Sequence, residues 1–95
     1  MIFFNVPEAR DHLMKNELVY TLRKASRSTG VTRAVVGNYT KHTTLCQVHI
    51  GKMKTVSHPD ELLPFLSSSG FEDVKVWWSK AEPTARTVYR VEKYG

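Results

Sequence analysis

The sequence predicts an α+β domain built on a small, mostly antiparallel β-barrel with about three short helices. Three observations predict it. Alternating β-branched and aromatic residues recur at 18–23, 31–36, 43–56 and 87–94, with polar turns between neighbouring runs. Three helical patterns with their own start signals interrupt these runs, beginning near Pro7, Pro59 and Asp73. The chain has 95 residues, 41% hydrophobic and 24% charged, which is enough for one core and one domain spanning 1–95. Few, curved strands with short connections close most economically as a barrel with helices over its openings.

Ile2-Phe3-Phe4 reads as a short first strand. Pro7 suits the first turn of a helix, where its missing N–H costs nothing, and Glu8 and Asp11 lie on the favourable side of the macrodipole. Val6, Ala9, Leu13 and Met14 follow helical spacing to a stop at Asn16, giving a helix over about residues 7–15. Leu18 to Arg23 alternates with apolar residues on both faces: Leu18, Tyr20 and Leu22 against Val19, Thr21 and Arg23. That pattern fits a curved strand in a barrel wall. Lys24 to Gly30 is a polar loop, and Val31 to Val36 is a strand closed by Gly37-Asn38.

Thr43 to Val56 is long enough to need a bulge or bend, expected at Gly51. Cys46, Val48 and Ile50 share its inner face. Ser57-His58-Pro59-Asp60-Glu61 starts a helix with Leu62, Leu63, Phe65 and Leu66 on its apolar side, shortened or distorted by Pro64. Asp73 caps a further helix carrying Val74, Trp77, Trp78 and Ala81, stopped by Pro83. Adjacent helix positions diverge by about 100°, so one tryptophan is core and the other lies at a rim. Thr87 to Tyr94 is the closing strand. The expected core includes Phe3, Leu13, Leu22, Val48, Leu66 and Val91.

Charge is unevenly distributed. Leu18 to Val56 holds no Asp or Glu and seven bases: Arg23, Lys24, Arg27, Arg33, Lys41, Lys52 and Lys54. All nine acids lie outside that stretch against the other seven bases, so the chain's formal excess of +5 belongs to this stretch. A patch of one sign attracts polyanions. Tyr20, Tyr39 and His42 are interleaved with the cations, and aromatic faces beside cations suit single-stranded nucleic acid, whose bases stack while its phosphates pair. The plainer alternative is a solvated basic face.

Other chemistries are poorly supplied. His12, His42, His49, His58 and Cys46 match no zinc spacing, so no metal and no cofactor is expected. Cys46 sits on a core face with no helix N-terminus to activate it. Gly30 and Gly37 stand alone and make no phosphate loop. A single cysteine excludes an intramolecular disulfide, and no disulfide-linked partner is expected. With no signal-peptide pattern, the expected setting is the reducing cytoplasm. No apolar run approaches the length of a bilayer span, and no membrane partner is expected.

Three places resemble the ASCH domains of the PUA-like superfamily. A helix followed by Val19-Tyr20-Thr21-Leu22-Arg23 is similar to the family's Gly-x-Lys-x-x-Thr-x-Arg segment. Ser69-Gly70-Phe71-Glu72-Asp73 before the tryptophan helix is similar to its late Gly-Phe helix start, and Val88-Tyr89-Arg90-Val91 to its closing strand. Order and spacing carry the match. The resemblance implies a PUA-like barrel with an RNA or nucleotide ligand. Family members that hydrolyse acylated cytidine use that Lys, the Thr and a later Glu. Here the Gly falls on Asn16 and the Lys on Leu18, and only Thr21 keeps register. A hydrolase needs a base within reach of its nucleophile, so no catalytic residue is assigned.

The sequence therefore favours a nucleic-acid-binding domain, with RNA or another single strand as partner. Arg23, Lys24, Arg27, Arg33 and Lys41 are the expected phosphate contacts. Tyr39 and Trp78 are the expected stacking faces, and Thr21 lies with Arg23 in a cleft beside the first helix. One rival is a hydrolase of a modified nucleoside, which requires a closed pocket with a perturbed titratable group. Another is a protein–protein adaptor, which requires an exposed apolar patch.

Overall fold

A computed structural model describes residues 1–94. Five strands form one sheet: β1 (Ile2–Phe3), β2 (Leu18–Arg23), β3 (Gly30–Gly37), β4 (His42–Thr55) and β5 (Thr87–Lys93). Their order across the sheet is β1-β3-β4-β5-β2. Only the β1–β3 pair is parallel; the other three pairs are antiparallel.

The sheet curls because β4 carries two extra residues. Ala34 pairs with Cys46 and Val35 with Thr44, which leaves Leu45 as a bulge. Lys52 pairs with Tyr89 and Lys54 with Val88, which leaves Met53 as a second. Each bulge bends its strand and increases the local twist. The expected break at Gly51 therefore falls two residues later, and Gly51 itself stays paired with Arg90.

The result is a half-barrel in a domain that is α+β and mostly antiparallel. Its two edges, β1 and β2, do not pair. After two residues of β1 the chain turns at Asn5 into helix α1 (Pro7–Asn16), so no backbone remains to meet β2. Side chains bridge the seam instead, as described below.

Burial is arranged on both faces of β2 and β5, as the two-sided apolar pattern of residues 18–23 predicts. Ala9 and Leu13 of α1 join Val19, Val48, Ile50 and Val91 in one apolar cluster. Leu22 and Val88 turn the other way, into a second cluster with Leu62, Phe71, Val74 and Trp77. Helix α1 runs one residue past the expected 7–15, to Asn16, and is capped by Glu17, which takes the left-handed conformation at φ 64° and donates its N–H to the Leu13 carbonyl.

Pro59–Ser68 is a 3₁₀ helix for its whole length. Pro64 has no N–H to donate in either helix type, and the segment around it keeps the tighter 3₁₀ form. The phase changes with the period. Three residues per turn put Leu62 and Phe65 on the inner side, and Leu63 faces solvent. His58 caps this helix: its Nδ1 accepts from the Asp60 N–H, and Glu61 reaches back to the His58 N–H. Asp73 caps α2 (Val74–Lys80) as expected, accepting from Lys75 N at 2.7 Å. Phe3 and Leu66, expected to be mostly buried, are half-buried; Phe3 lies on a cleft wall.

Candidate functional site

A cleft of about 570 Å³ opens at the seam between β1 and β2. Its walls come from β1 and the start of α1, from β2 with the loop after it, and from the end of α2 with the chain that follows. Sites that enclose a small ligand span roughly 300–1,000 Å³, and a nucleotide is a molecule of that class.

Arg23 crosses the seam. Its Nη2 donates to the Phe3 carbonyl at 2.6 Å, and its Nε donates to Thr21 Oγ1 at 3.2 Å. The guanidinium lies over the Phe4 ring, 5.1 Å from its centroid. Arg27 makes a second bridge, from Nη2 to the Met1 carbonyl at 2.7 Å. Thus side-chain donors serve the carbonyls of an edge strand too short to find a strand partner there.

The loop that carries Arg27 is pinned from below. The buried Tyr89 hydroxyl donates to the carbonyls of Lys24 at 2.7 Å and Ala25 at 3.2 Å. Lys52 Nζ donates to the same Ala25 carbonyl at 2.7 Å. The opposite rim is held by Asn5, whose amide exchanges two hydrogen bonds with Gly37, at 2.8 and 2.9 Å. Gly37 has φ 118°, and a Cβ there would collide with the Lys41 carbonyl, so the turn needs glycine. Asn38 Oδ1 then closes the turn by accepting from the N–H groups of Thr40 and Lys41. This clamp leaves Tyr39 at the mouth, 79% exposed, edge-on to Phe3 with ring centroids 5.0 Å apart.

The electrostatics are unusual for a surface of mixed charge. Burial, and then the charge of Arg27, push the Arg23 pKa down to about 10; Glu82 acts weakly in the opposite sense. Burial also lowers Arg27, opposed by Tyr39 and Tyr89. Among the described residues, no carboxylate lies within 4 Å of either guanidinium. Arg27 Nε is buried without a hydrogen-bond partner. A buried donor left unmade costs about 1–3 kcal/mol, more when charged. Lys24 and Lys80 add cations to the rim.

Of the side chains singled out in the sequence, Thr21, Arg23, Lys24, Arg27 and Tyr39 converge on this cleft. Arg33, Lys41 and Trp78 do not line it. Arg33 is exposed on β3 opposite Gln47, and Lys41 is exposed in the β3–β4 turn. Trp78 packs against the second apolar cluster, and Arg86 covers its ring at 3.8 Å. Lys52 and Lys54 are engaged elsewhere, with the Ala25 carbonyl and, at 3.6 Å, with Glu61. Three of the seven central bases therefore share the cleft.

Comparison with protein-family models, curated proteins and solved structures finds no match. The site is characterised by its own geometry.

Sequence reading missed Lys80, Glu82, Ser26 and Phe71, which also line the cleft. The charges of Lys80 and Glu82 are visible in the sequence, but nothing local ties residues 80–82 to the loop at 24–27. Among the described residues, no group of three or more His, Cys, Asp or Glu is placed to hold a metal ion. Cys46 is half-buried, and burial pushes its thiol up, away from thiolate character. No helix among the described residues is long and apolar enough to cross a membrane.

Proposed function

We propose that this domain binds single-stranded nucleic acid, RNA in the first instance, by taking one nucleotide into the seam cleft. One observation carries the reading. Two desolvated guanidiniums face the cleft with no carboxylate beside them, and one buried N–H of Arg27 has no partner. An Arg fork without its own anion is complementary to a phosphate, which accepts charge-assisted bonds from two N–H groups at once. Arg23, Lys24 and Lys80 supply further positive charge around it. Tyr39, clamped at the mouth, offers an exposed ring on which a base stacks. The resemblance to ASCH domains points the same way: in this reading the half-barrel is PUA-like, the ligand is RNA or a nucleotide, and the setting is cytoplasmic.

The hydrolase alternative draws on the same cleft, since Thr21 and a perturbed arginine lie in it. Thr21 Oγ1, however, accepts from Arg23, and a guanidinium carries donors only. It cannot take the hydroxyl proton, and the cleft's carboxylate, Glu82, makes no hydrogen bond to Thr21 among the described residues, so no base is paired with the hydroxyl. Binding is the simpler chemistry.

The test is a fluorescence-anisotropy titration of labelled single-stranded RNA at several salt concentrations. A nucleotide in the cleft with its two neighbours outside presents three phosphates. At about −0.7 per phosphate on single strands, log affinity against log salt should then slope near −2. Arg27→Ala should weaken binding by about 1.5–3 kcal/mol, the value of a hydrogen bond to a charged group. Arg27→Lys, which keeps the charge and loses the fork, should recover only part of it. No binding at low salt, or tight binding indifferent to Arg27, would refute the proposal.

A further inference from the structure

We infer that Glu82 reads the base of the nucleotide held in the cleft, and that it selects guanine. The inference rests on the binding proposal above. Four cations line the cleft, Arg23, Lys24, Arg27 and Lys80, and among the described residues Glu82 is its one carboxylate. The chain around it is fixed: the Glu82 carbonyl accepts from the Ala85 N–H at 2.9 Å and from Arg86 Nη1 at 3.0 Å. The carboxylate itself is exposed and has no hydrogen bond or ion pair within the described residues. It remains close enough to Arg23 to oppose the lowering of its pKa.

Of the other polar side chains of the cleft, the Ser26 and Tyr39 hydroxyls each offer one oxygen that both donates and accepts, and the rest are committed or are donors. Both ends of the Asn5 amide are used by Gly37. Thr21 Oγ1 already accepts from Arg23, so its hydroxyl has a proton to give. The arginines and lysines only donate. Glu82 is the one acceptor-only side chain, and a carboxylate presents two oxygens side by side. A base that meets it must therefore offer two adjacent donors on one edge.

Guanine alone among the four bases does so, through N1–H and the N2 amino group. Adenine and cytosine present one amino group beside a ring-nitrogen acceptor. Uracil presents one N–H between two carbonyls. Each of these sets a lone pair against a carboxylate oxygen. A good bidentate pair discriminates by about five- to 150-fold.

The experiment uses the full chain and short oligouridines that carry a single guanine, adenine or cytosine at the centre, titrated by anisotropy at one low salt concentration. Wild type should bind the guanine-containing strand at least about fivefold more tightly than the others. Glu82→Gln replaces one acceptor with a donor in an exposed loop, with no core contact disturbed. It should erase the guanine preference while retaining affinity for the other strands. Equal affinity of wild type for all the strands would overturn the inference and leave the binding proposal standing. So would a Glu82→Gln change that tightens every strand alike, since Glu82 would then act only as a like-charge brake on phosphate. Failure of every strand to bind would overturn both.

Discussion

Arg23→Met separates the two tasks its side chain performs, bridging the seam and facing a ligand. Burial and the charge of Arg27 hold Arg23 at about 10, well below the ordinary guanidinium value. At 1.36 kcal/mol per pH unit, the folded state carries its charge at a cost of about 3 kcal/mol. The sign follows from proton binding. The folded chain holds this proton less tightly than the unfolded chain, so the cost is full below about pH 10 and is relieved only as pH rises through that value.

Against the cost stand three contacts, one of them the long 3.2 Å bond to Thr21 Oγ1. The bond to the Phe3 carbonyl at 2.6 Å has a charged donor, and such bonds contribute about 1.5–3 kcal/mol. The Phe4 ring face at 5.1 Å adds about 0.5–2 kcal/mol. The terms nearly cancel, as they commonly do for buried charges. Methionine keeps an unbranched apolar stem and removes both the charge and its desolvation. Stability should change by no more than about 1 kcal/mol in either direction. With a urea slope of about 1–3 kcal/mol per molar, the unfolding midpoint should move by less than about 1 M. RNA affinity, measured on the same preparations, should fall about tenfold or more, because a charged donor is lost. Unfolding is followed through Trp77 and Trp78 fluorescence. A loss of more than about 3 kcal/mol would mean that the charge serves the seam, and the balance worked above would be wrong. Unchanged RNA affinity would remove Arg23 from the site.

Three further outcomes are expected. Tyr39→Ala should cost about 1–3 kcal/mol of single-strand affinity with little change in salt slope, since it removes a stacking face and no charge; a slope change as large as that of Arg27→Ala would contradict the assignment. Hydrogen bonds from the Ser57 and His58 N–H groups hold the Glu61 carboxyl below its ordinary 4.5. Stability from this cap is present above that pH and is lost as pH falls through the lower folded value, so denaturation midpoints measured down the acid limb should fall less steeply in Glu61→Gln. Gly70 has φ 87°, and a Cβ there would strike the Glu8 carbonyl, so Gly70→Ala should destabilise by about 1–3 kcal/mol in a thermal melt followed by circular dichroism.

Much of this fold is legible in the residues. The alternation at 18–23 places Val19 and Leu22 on opposite faces, and the structure sends them to different apolar clusters. Pro7 and Asp73 mark helix starts that the backbone keeps. Pro64 announces a distorted helix, but the change from α to 3₁₀ phase, which turns Leu63 outward, depends on what that helix packs against. The sheet order is not legible, because the pairing of β2 with β5 joins the two ends of the chain.

The same limit governs the cleft. The acid-free stretch points to Arg23, Lys24 and Arg27, and Tyr39 joins them through the Asn5–Gly37 clamp. Arg33 and Lys41 look equivalent to them in sequence. What separates them is a long-range fact: β1 is too short to reach β2, and the Met1 and Phe3 carbonyls draw in the guanidiniums of Arg23, at the end of β2, and Arg27, in the loop after it. Glu82 arrives from beyond α2, and no local pattern connects it to that loop.

The most direct measurement is a heteronuclear NMR titration of the protein with a short single-stranded RNA, observing backbone amides and arginine Nε–H signals together. The Arg27 Nε–H signal should shift strongly as a phosphate meets the accessible part of its guanidinium in the cleft. The amides of Phe3 to Asn5, Thr21 to Arg27 and Lys80 to Glu82 should move with it. Shifts confined to the outer face that bears Val31, Arg33, Gln47 and His49, with the Arg27 signal unmoved, would contradict binding in the cleft.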